Sequence, residues 1–431
     1  MVADYIILLN LSKGRIIIKY LIVPKPILDR SMNVLAYCFR YESAHDYIAD
    51  SPARAFDGVV NPPGLEILER VGIDALTNGV PLFVPISKFA LLSDMSQKSS
   101  QPPEKVVLLF NNNDITPEEP FLSTMQNLKE KGYKFALENP KDINYMHPVI
   151  QLCDYVMLSF KFNMNNLTTF RQLATQHRHI TFVAADINGL EIFSQLDKTN
   201  FKYFEGRFYN VPVAKDQSTM SPVKINRIHL LNTVQEPDFA IESVADIVGR
   251  DPSMSISLLK LVNSPHLGIS QKIKSIQHAV AMLGQKEVRK WVTTVIANLL
   301  AEDKPGELTR LSLMRAKFAE NMAPHFHLAM QANDLFLLGL FSVLDAALDM
   351  PMEEALKIIH VSEEIHTALV ERKGRFMKIL NFILAYETAD WTETKNTMML
   401  HDIAAEDVFN AYMETVEWYD SILNAAYEDT D

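Results

Sequence analysis

Residues 251–300 read DPSMSISLLKLVNSPHLGISQKIKSIQHAVAMLGQKEVRKWVTTVIANLL. Asp251-Pro252 predicts a helix start, because an Asp side chain caps free N–H groups and Pro fits the first helical position. Met254, Leu258, Leu261 and Val262 then share one helical face. Asn263-Ser264-Pro265 breaks the run. Ser275 opens a second helix with Ile276, Val280 and Leu283 on one face, and Gly284 fits its stop. A third helix carries Val288, Trp291, Val292, Val295 and Ile296. Three short amphipathic helices at this spacing make a compact helical core.

From residue 225 to the end, the chain keeps a helical period. The clearest helices are predicted over 308–323, 334–348, 352–359, 363–370 and 376–389. The first 210 residues read differently. Apolar runs at 16–23, 34–39, 82–86, 106–110, 133–137, 155–158 and 180–184 predict strands, with helical segments such as 64–71, 120–131 and 165–177 between them. That alternation predicts a parallel sheet or a β/α barrel. Around 211–222 the pattern lapses into VPVAKDQSTMSP. We therefore expect an α/β domain over 1–210, a linker over 211–224 and an all-α domain over 225–431, with the acidic end 427–431 frayed.

The bulk numbers agree with a chain of two or three domains. Of 431 residues, 48% are hydrophobic, enough for real cores, and the formal net charge of −12 argues against a general nucleic-acid binder. Two cysteines, Cys38 and Cys153, cannot build a disulfide framework and suit a reducing cytoplasm. The apolar pieces 5–11 and 16–23 are interrupted by Lys13, Arg15 and Lys19, so neither a membrane-spanning helix nor a secretory leader is expected. Two strands joined at Ser12-Lys13-Gly14 are expected there instead. No phosphate-binding glycine loop occurs; Gly206 and Gly284 read as turn or cap glycines.

Two resemblances add to this reading. IVGRDPSMSISLLKLVNSPHLG followed by IKSIQHAVAMLGQKEVRKWV resembles the HDOD domain, a helical relative of HD-type phosphohydrolases that lacks their metal ligands. VPKPILDRSMNVLAY, GYKFAL, CDYVML and YFEGRFYNVP resemble, in order, segments of EAL domains, the barrels that hydrolyse cyclic di-GMP. The tandem is similar to the YuxH-like EAL–HDOD signalling proteins. The fold this implies is a degenerate EAL-type β/α barrel followed by a helical HDOD domain.

The EAL resemblance implies two-metal phosphodiester hydrolysis, which needs carboxylates for divalent ions and a lysine near the attacking water. Aligned to it, Cys38, Phe39 and Arg40 replace the Glu-Ala-Leu signature, and a soft thiol is no substitute for a hard oxygen ligand. Pro85 takes the place of the metal-binding Asn and Leu109 that of a Glu. The paired aspartates become Glu138 and Asn139. Met157 stands for the Lys and Ser159 for the Asp that follows it, Ala185 and Asn188 stand for Glu residues, and Glu205 replaces a Gln on the phosphate side. In the helical half the HD pair falls on Ser342 and Val343, and the earlier metal-binding His near Arg315-Ala316. His401-Asp402 and His45-Asp46 are literal HD pairs in the wrong places. His325, His327 and His360 show no ligand spacing.

With both catalytic sets replaced, we expect no catalytic residues, no metal and no cofactor. The expected function is non-enzymatic bacterial signalling or scaffolding, in which the chain binds other regulatory proteins. Asn263, Ser264, Pro265 and His266 are the candidate partner contacts, with inter-helix packing as the alternative for that stretch. A second reading is a sensor of cyclic di-GMP or another nucleotide, with Arg40, Lys202 and Arg207 as anion contacts. A third is residual cyclic di-GMP hydrolysis. The resemblance also allows a homodimer, because EAL-like domains often pair.

Overall fold

The structure is a computed structural model that describes residues 20–43, 68, 72–92, 100–112, 115–141, 143–161, 166–199, 201–212, 220–236, 238–249, 251–263 and 273–427. Eight strands close into a barrel in the order of the sequence: β1 Tyr20–Leu28, β2 Val34–Ser43, β3 Leu82–Pro85, β4 Val106–Asn111, β5 Lys134–Glu138, β6 Tyr155–Ser159, β7 Thr181–Ile187 and β8 Tyr203–Gly206. Strands β2 to β8 run parallel to their neighbours, whereas β1 is antiparallel to both β2 and β8. Pro24 and Pro26 fall in β1 before its pairing with β8 begins at Ile27, so their missing N–H groups break no ladder on that side. The described helices of this half are α1 Ile73–Thr77, α2 Lys88–Leu91, α3 Phe121–Glu130, α4 Ile143–Leu152, α5 Asn166–Gln176 and α6 Leu190–Asp197.

The apolar runs predicted as strands are β1 to β7, although β1 covers only the end of the 16–23 run and continues past it to Leu28. The short β8 carries no periodic signal of its own and entered the sequence reading only through the EAL resemblance. The Ser12-Lys13-Gly14 turn lies outside the described residues, as do His45-Asp46 and all but residue 68 of the 64–71 segment.

The helical half comprises α7 Pro222–Gln235, α8 Ile241–Gly249, α9 Pro252–Val262, α10 Ile276–Leu300, α11 Gly306–Met322, α12 Ala332–Phe341, α13 Leu344–Leu348, α14 Met352–Ile358, α15 Glu363–Leu369, α16 Arg375–Thr388, α17 Trp391–His401 and α18 Ala405–Tyr427. The starts expected around residues 251 and 275 are there. Asp251 Oδ1 accepts from the Met254 N–H at 3.1 Å and Ser275 Oγ from the His278 N–H at 3.1 Å. Gly284, at φ 80°, interrupts α10 where the second helix was expected to stop, so α10 is two helical pieces meeting at a kink.

Two expectations need correction. The linker does not reach residue 224, because Ser221 caps α7 by accepting from the Lys224 N–H at 3.3 Å with Pro222 in the first turn. The proline read as a linker residue is a helix starter. The single helix expected over 334–348 is broken at Ser342-Val343, where the Ser342 hydroxyl turns back to donate to the Gly339 carbonyl at 2.7 Å.

Candidate functional site

Strand alternation decides which side chains enter the barrel. Cys38 on β2 points into the lumen, and Phe39 beside it packs in the outer core. Leu109, Met157 and Ala185 point inward from β4, β6 and β7. These four residues, 0–2% exposed, form one apolar cluster with Ile27, Phe83, Val107, Ala136 and Val183. Burial pushes the Cys38 thiol up to about 12, so it is a protonated, apolar-packed thiol at neutral pH. Pro85 pairs with Leu109 in the β3–β4 register and offers no side-chain donor or acceptor. A divalent ion needs oxygen donors, and this lumen does not fit one.

Above the plug, the C-terminal ends of the strands carry charge. Arg40 reaches from β2 to Glu138 on β5 with Nη2–Oε1 at 2.7 Å and Nη1–Oε2 at 3.4 Å. Burial opposes the Arg40 charge, but Cys38, Glu138 and Glu205 together outweigh it and hold the guanidinium well above its usual range. The pair joins strands that are not neighbours and so lies across the lumen. Asn139, at φ 45°, accepts the Ser159 N–H at 2.8 Å, and the Ser159 hydroxyl donates to Asp186 at 2.6 Å. Lys25 on β1 stands 3.5 Å from Glu205 and 3.8 Å from Asp186. Glu205 is 1% exposed. Each rim carboxylate thus has a cation beside it, and among the described residues no three His, Cys, Asp or Glu are placed to hold a metal.

The HD-pair position is filled differently. Arg315 on α11 donates to Ser342 Oγ at 2.9 Å, so the two segments aligned with the HD ligands do meet in space. Gly339 permits this approach: a Cβ there would lie 2.5 Å from the backbone of Arg315 and Ala316. Val343 is buried. Arg315 also forms a two-pronged pair with Glu387 on α16, Nε–Oε2 at 2.8 Å and Nη2–Oε1 at 2.6 Å. Burial opposes both charges, yet Glu387 raises the Arg315 pKa, and Arg207 and Arg315 together lower that of Glu387. A fixed guanidinium here repels a metal cation.

The two regions face each other. A cavity of ≈ 80 Å³ is lined on the barrel side by Lys25, Asp186, Asn188, Glu205 and Arg207, and on the helical side by Arg310, Arg315 and Glu387. Arg207, just after β8, spans the gap to Glu387 at 2.5 Å and donates to the Leu384 carbonyl at 3.1 Å. Tyr37 on β2 donates to Glu307 on α11 at 2.9 Å, and Lys395 meets Glu42 at 3.2 Å. The sequence reading missed Lys25, Asp186, Glu307 and Glu387. Glu387 had a signal: it follows Ile383 by one helical turn on the buried stripe of α16, where a charge needs a partner.

Of the proposed anion contacts, Arg40 and Arg207 are already paired. Exposed Lys202 precedes β8, at the other end of that strand from Arg207. Of the proposed partner contacts, Asn263 is turned to internal work. Its Nδ2 donates to the Leu259 and Ile273 carbonyls at 2.7 and 2.9 Å, and its Oδ1 accepts the Ile273 N–H at 2.6 Å. These bonds tie residue 263 to residue 273 within the helical half. Ser264, Pro265 and His266 lie outside the described residues. His401 packs on the Phe326 ring, and Asp402 ends α17 in a left-handed conformation. His325 lies 3.8 Å from Asp407 and His360 lies 4.0 Å from Glu236, each a separate pair.

Residues 221–373 match the HDOD domain family. The chain is therefore an eight-stranded barrel joined to an HDOD domain, the order that the tandem resemblance implies. Among individual proteins it is similar to the uncharacterized protein YuxH of Bacillus subtilis (strain 168), at 25% identity over 93% of this chain and 98% of that one. It is also similar to the cyclic di-GMP phosphodiesterase CdgJ of Vibrio cholerae, at 29% identity over 71% of each chain. Among solved structures, the EAL enzyme Bd1971, bound to cAMP and cyclic di-GMP, matches with a TM-score of 0.35 at 13% identity, covering 44% of this chain and 60% of that one. The EAL domain of Mycobacterium smegmatis DcpA matches with a TM-score of 0.33 at 14% identity over 43% of this chain and 90% of that one. At these scores the likenesses add nothing to the strand order described above. No helix among the described residues is long and apolar enough to cross a membrane.

Proposed function

We propose that this protein is a cytoplasmic bacterial signalling protein of the cyclic di-GMP network that does not hydrolyse the nucleotide. It works by binding other regulatory proteins, with the HDOD domain as the output half. No nucleic acid or metal enters the mechanism. The barrel lumen carries this reading: Cys38, Leu109, Met157 and Ala185, aligned with the ligand and lysine positions of the EAL family, are one dry apolar plug. The Arg40–Glu138 pair above it supports the same conclusion, since the carboxylate that survives is neutralised. Losing most ligands of a two-metal site removes the charge stabilisation that phosphodiester cleavage requires.

The similarity to CdgJ favours a second reading, residual hydrolysis. The two separate in one assay of the full chain with cyclic di-GMP and magnesium or manganese. The expected outcome is no product above the no-enzyme blank. Metal-dependent product that Glu138→Ala abolishes would establish the second reading. Calorimetry with cyclic di-GMP tests the sensor reading, and heat saturating in the micromolar range would support it. Affinity purification with the intact chain then identifies the partners.

A further inference from the structure

The two halves meet in two places. Along β1 and β2, both halves contribute to one continuous apolar core, crossed by the Ile22 N–H donating to the Tyr386 hydroxyl at 3.2 Å, by Tyr37 donating to Glu307 at 2.9 Å and by the Lys395–Glu42 pair at 3.2 Å. At the β8 end the contact is electrostatic. Arg207 from the barrel and Arg315 from the HDOD domain converge on the same oxygen of Glu387, at 2.5 and 2.6 Å. Two guanidiniums that share one carboxylate oxygen repel each other, and Glu387 is the charge that offsets the repulsion. Behind them lies the ≈ 80 Å³ cavity, with the Lys25, Asp186 and Glu205 rim on its far wall. Barrels of this kind place their sites at the C-terminal ends of the strands, which is the end these helices cover.

We propose that α11 and α16 form a cap over the β8–β1 side of the barrel mouth, and that the Arg207–Glu387 pair is the latch holding it shut. The β2–β5 side stays open: Arg40 and Glu138 retain 20% and 22% side-chain exposure. Opening the latch loosens the end of α16 beyond Tyr386 at the β8 side of the rim, while the Ile22–Tyr386 and Tyr37–Glu307 contacts keep both helices seated on β1 and β2. The inference concerns access to the mouth and is independent of whether the barrel has any hydrolytic activity.

Arg207→Met tests it in the full chain. Methionine keeps much of the aliphatic bulk and leaves the Arg315–Glu387 pair intact, so the HDOD domain retains its buried ion pair. Hydrogen exchange is read by mass spectrometry. We expect amide exchange over 206–210 and 384–390 to speed up by roughly tenfold or more, because local opening sets the rate there. Strands β4 to β6 should keep wild-type protection. Unchanged exchange in both segments would overturn the proposal. So would a uniform rise across the barrel, which would make Arg207 a plain stability residue.

Discussion

In the barrel lumen, a ring of apolar side chains occupies the level where the EAL resemblance expects metal ligands. At the HD-pair position of the helical domain, the guanidinium of Arg315 takes that place, held by Ser342 and Glu387. The difference follows from the surroundings. The lumen is closed on all sides by strands, so hydrocarbon fills it without stranding a polar group. The HD-pair position opens toward the other domain, where Arg207 already brings a charge. Adding Arg315 and one carboxylate between them turns that site into a domain contact. One of these places is thus filled by packing and the other by a joint between the halves.

That contrast can be broken by mutation. The largest effect is expected at the joint. Arg315→Ala removes a 3% exposed cation and leaves Glu387 and Ser342 short of their main donor. We expect a loss of about 3 kcal/mol or more in denaturant unfolding, the usual consequence of breaking a buried pair from one side. In the lumen, Met157→Ala opens a cavity in the plug and should cost about 2–4 kcal/mol. Its loss should be insensitive to salt and pH. If Met157→Ala proved neutral, the lumen would have to be a loosely packed space rather than a dry plug.

The smallest effect separates the regions by pH. Glu387 has a folded pKa below its ordinary value of 4.5, because Arg207 and Arg315 outweigh the burial that opposes its charge. A depressed carboxylate contributes stability that is fully present above its unfolded pKa and is lost as pH falls through its folded pKa. Wild-type stability should therefore fall from about pH 4.5 downward more steeply than that of Glu387→Gln. The measurement is urea unfolding across this range. Parallel pH profiles for the two proteins would show that the joint is not electrostatic.

Much of this was legible in the sequence. Short apolar runs marked β1 to β7, and the Asp251 and Ser275 caps and the Gly284 break marked helices in the 251–300 stretch. Those signals are local, written by capping and by runs of buried residues. What failed was also local in origin. Pro222 was read as a breaker although it starts α7, and the apolar run over 334–348 hid the Ser342 turn, because periodicity does not register a hydroxyl that bonds back to its own helix. The candidate site was half legible. The resemblances singled out Cys38, Leu109, Met157 and Ser342, but gave no hint that Arg40 would bridge to Glu138.

The sequence by itself determined that strands alternating with helices are followed by an all-helical half, and the resemblances narrowed this to a barrel followed by an HDOD domain. Charge pairs between residues 72 to 180 positions apart have no sequence period, so only the tertiary structure could decide them. It joined Arg40 to Glu138, and Arg207 to Glu387 and so to Arg315. It also brought Asn188 and Glu205 of the barrel and Arg315 of the helical half to the walls of one cavity. The physical reason is burial: a charge taken from water must find its partner wherever the fold places one.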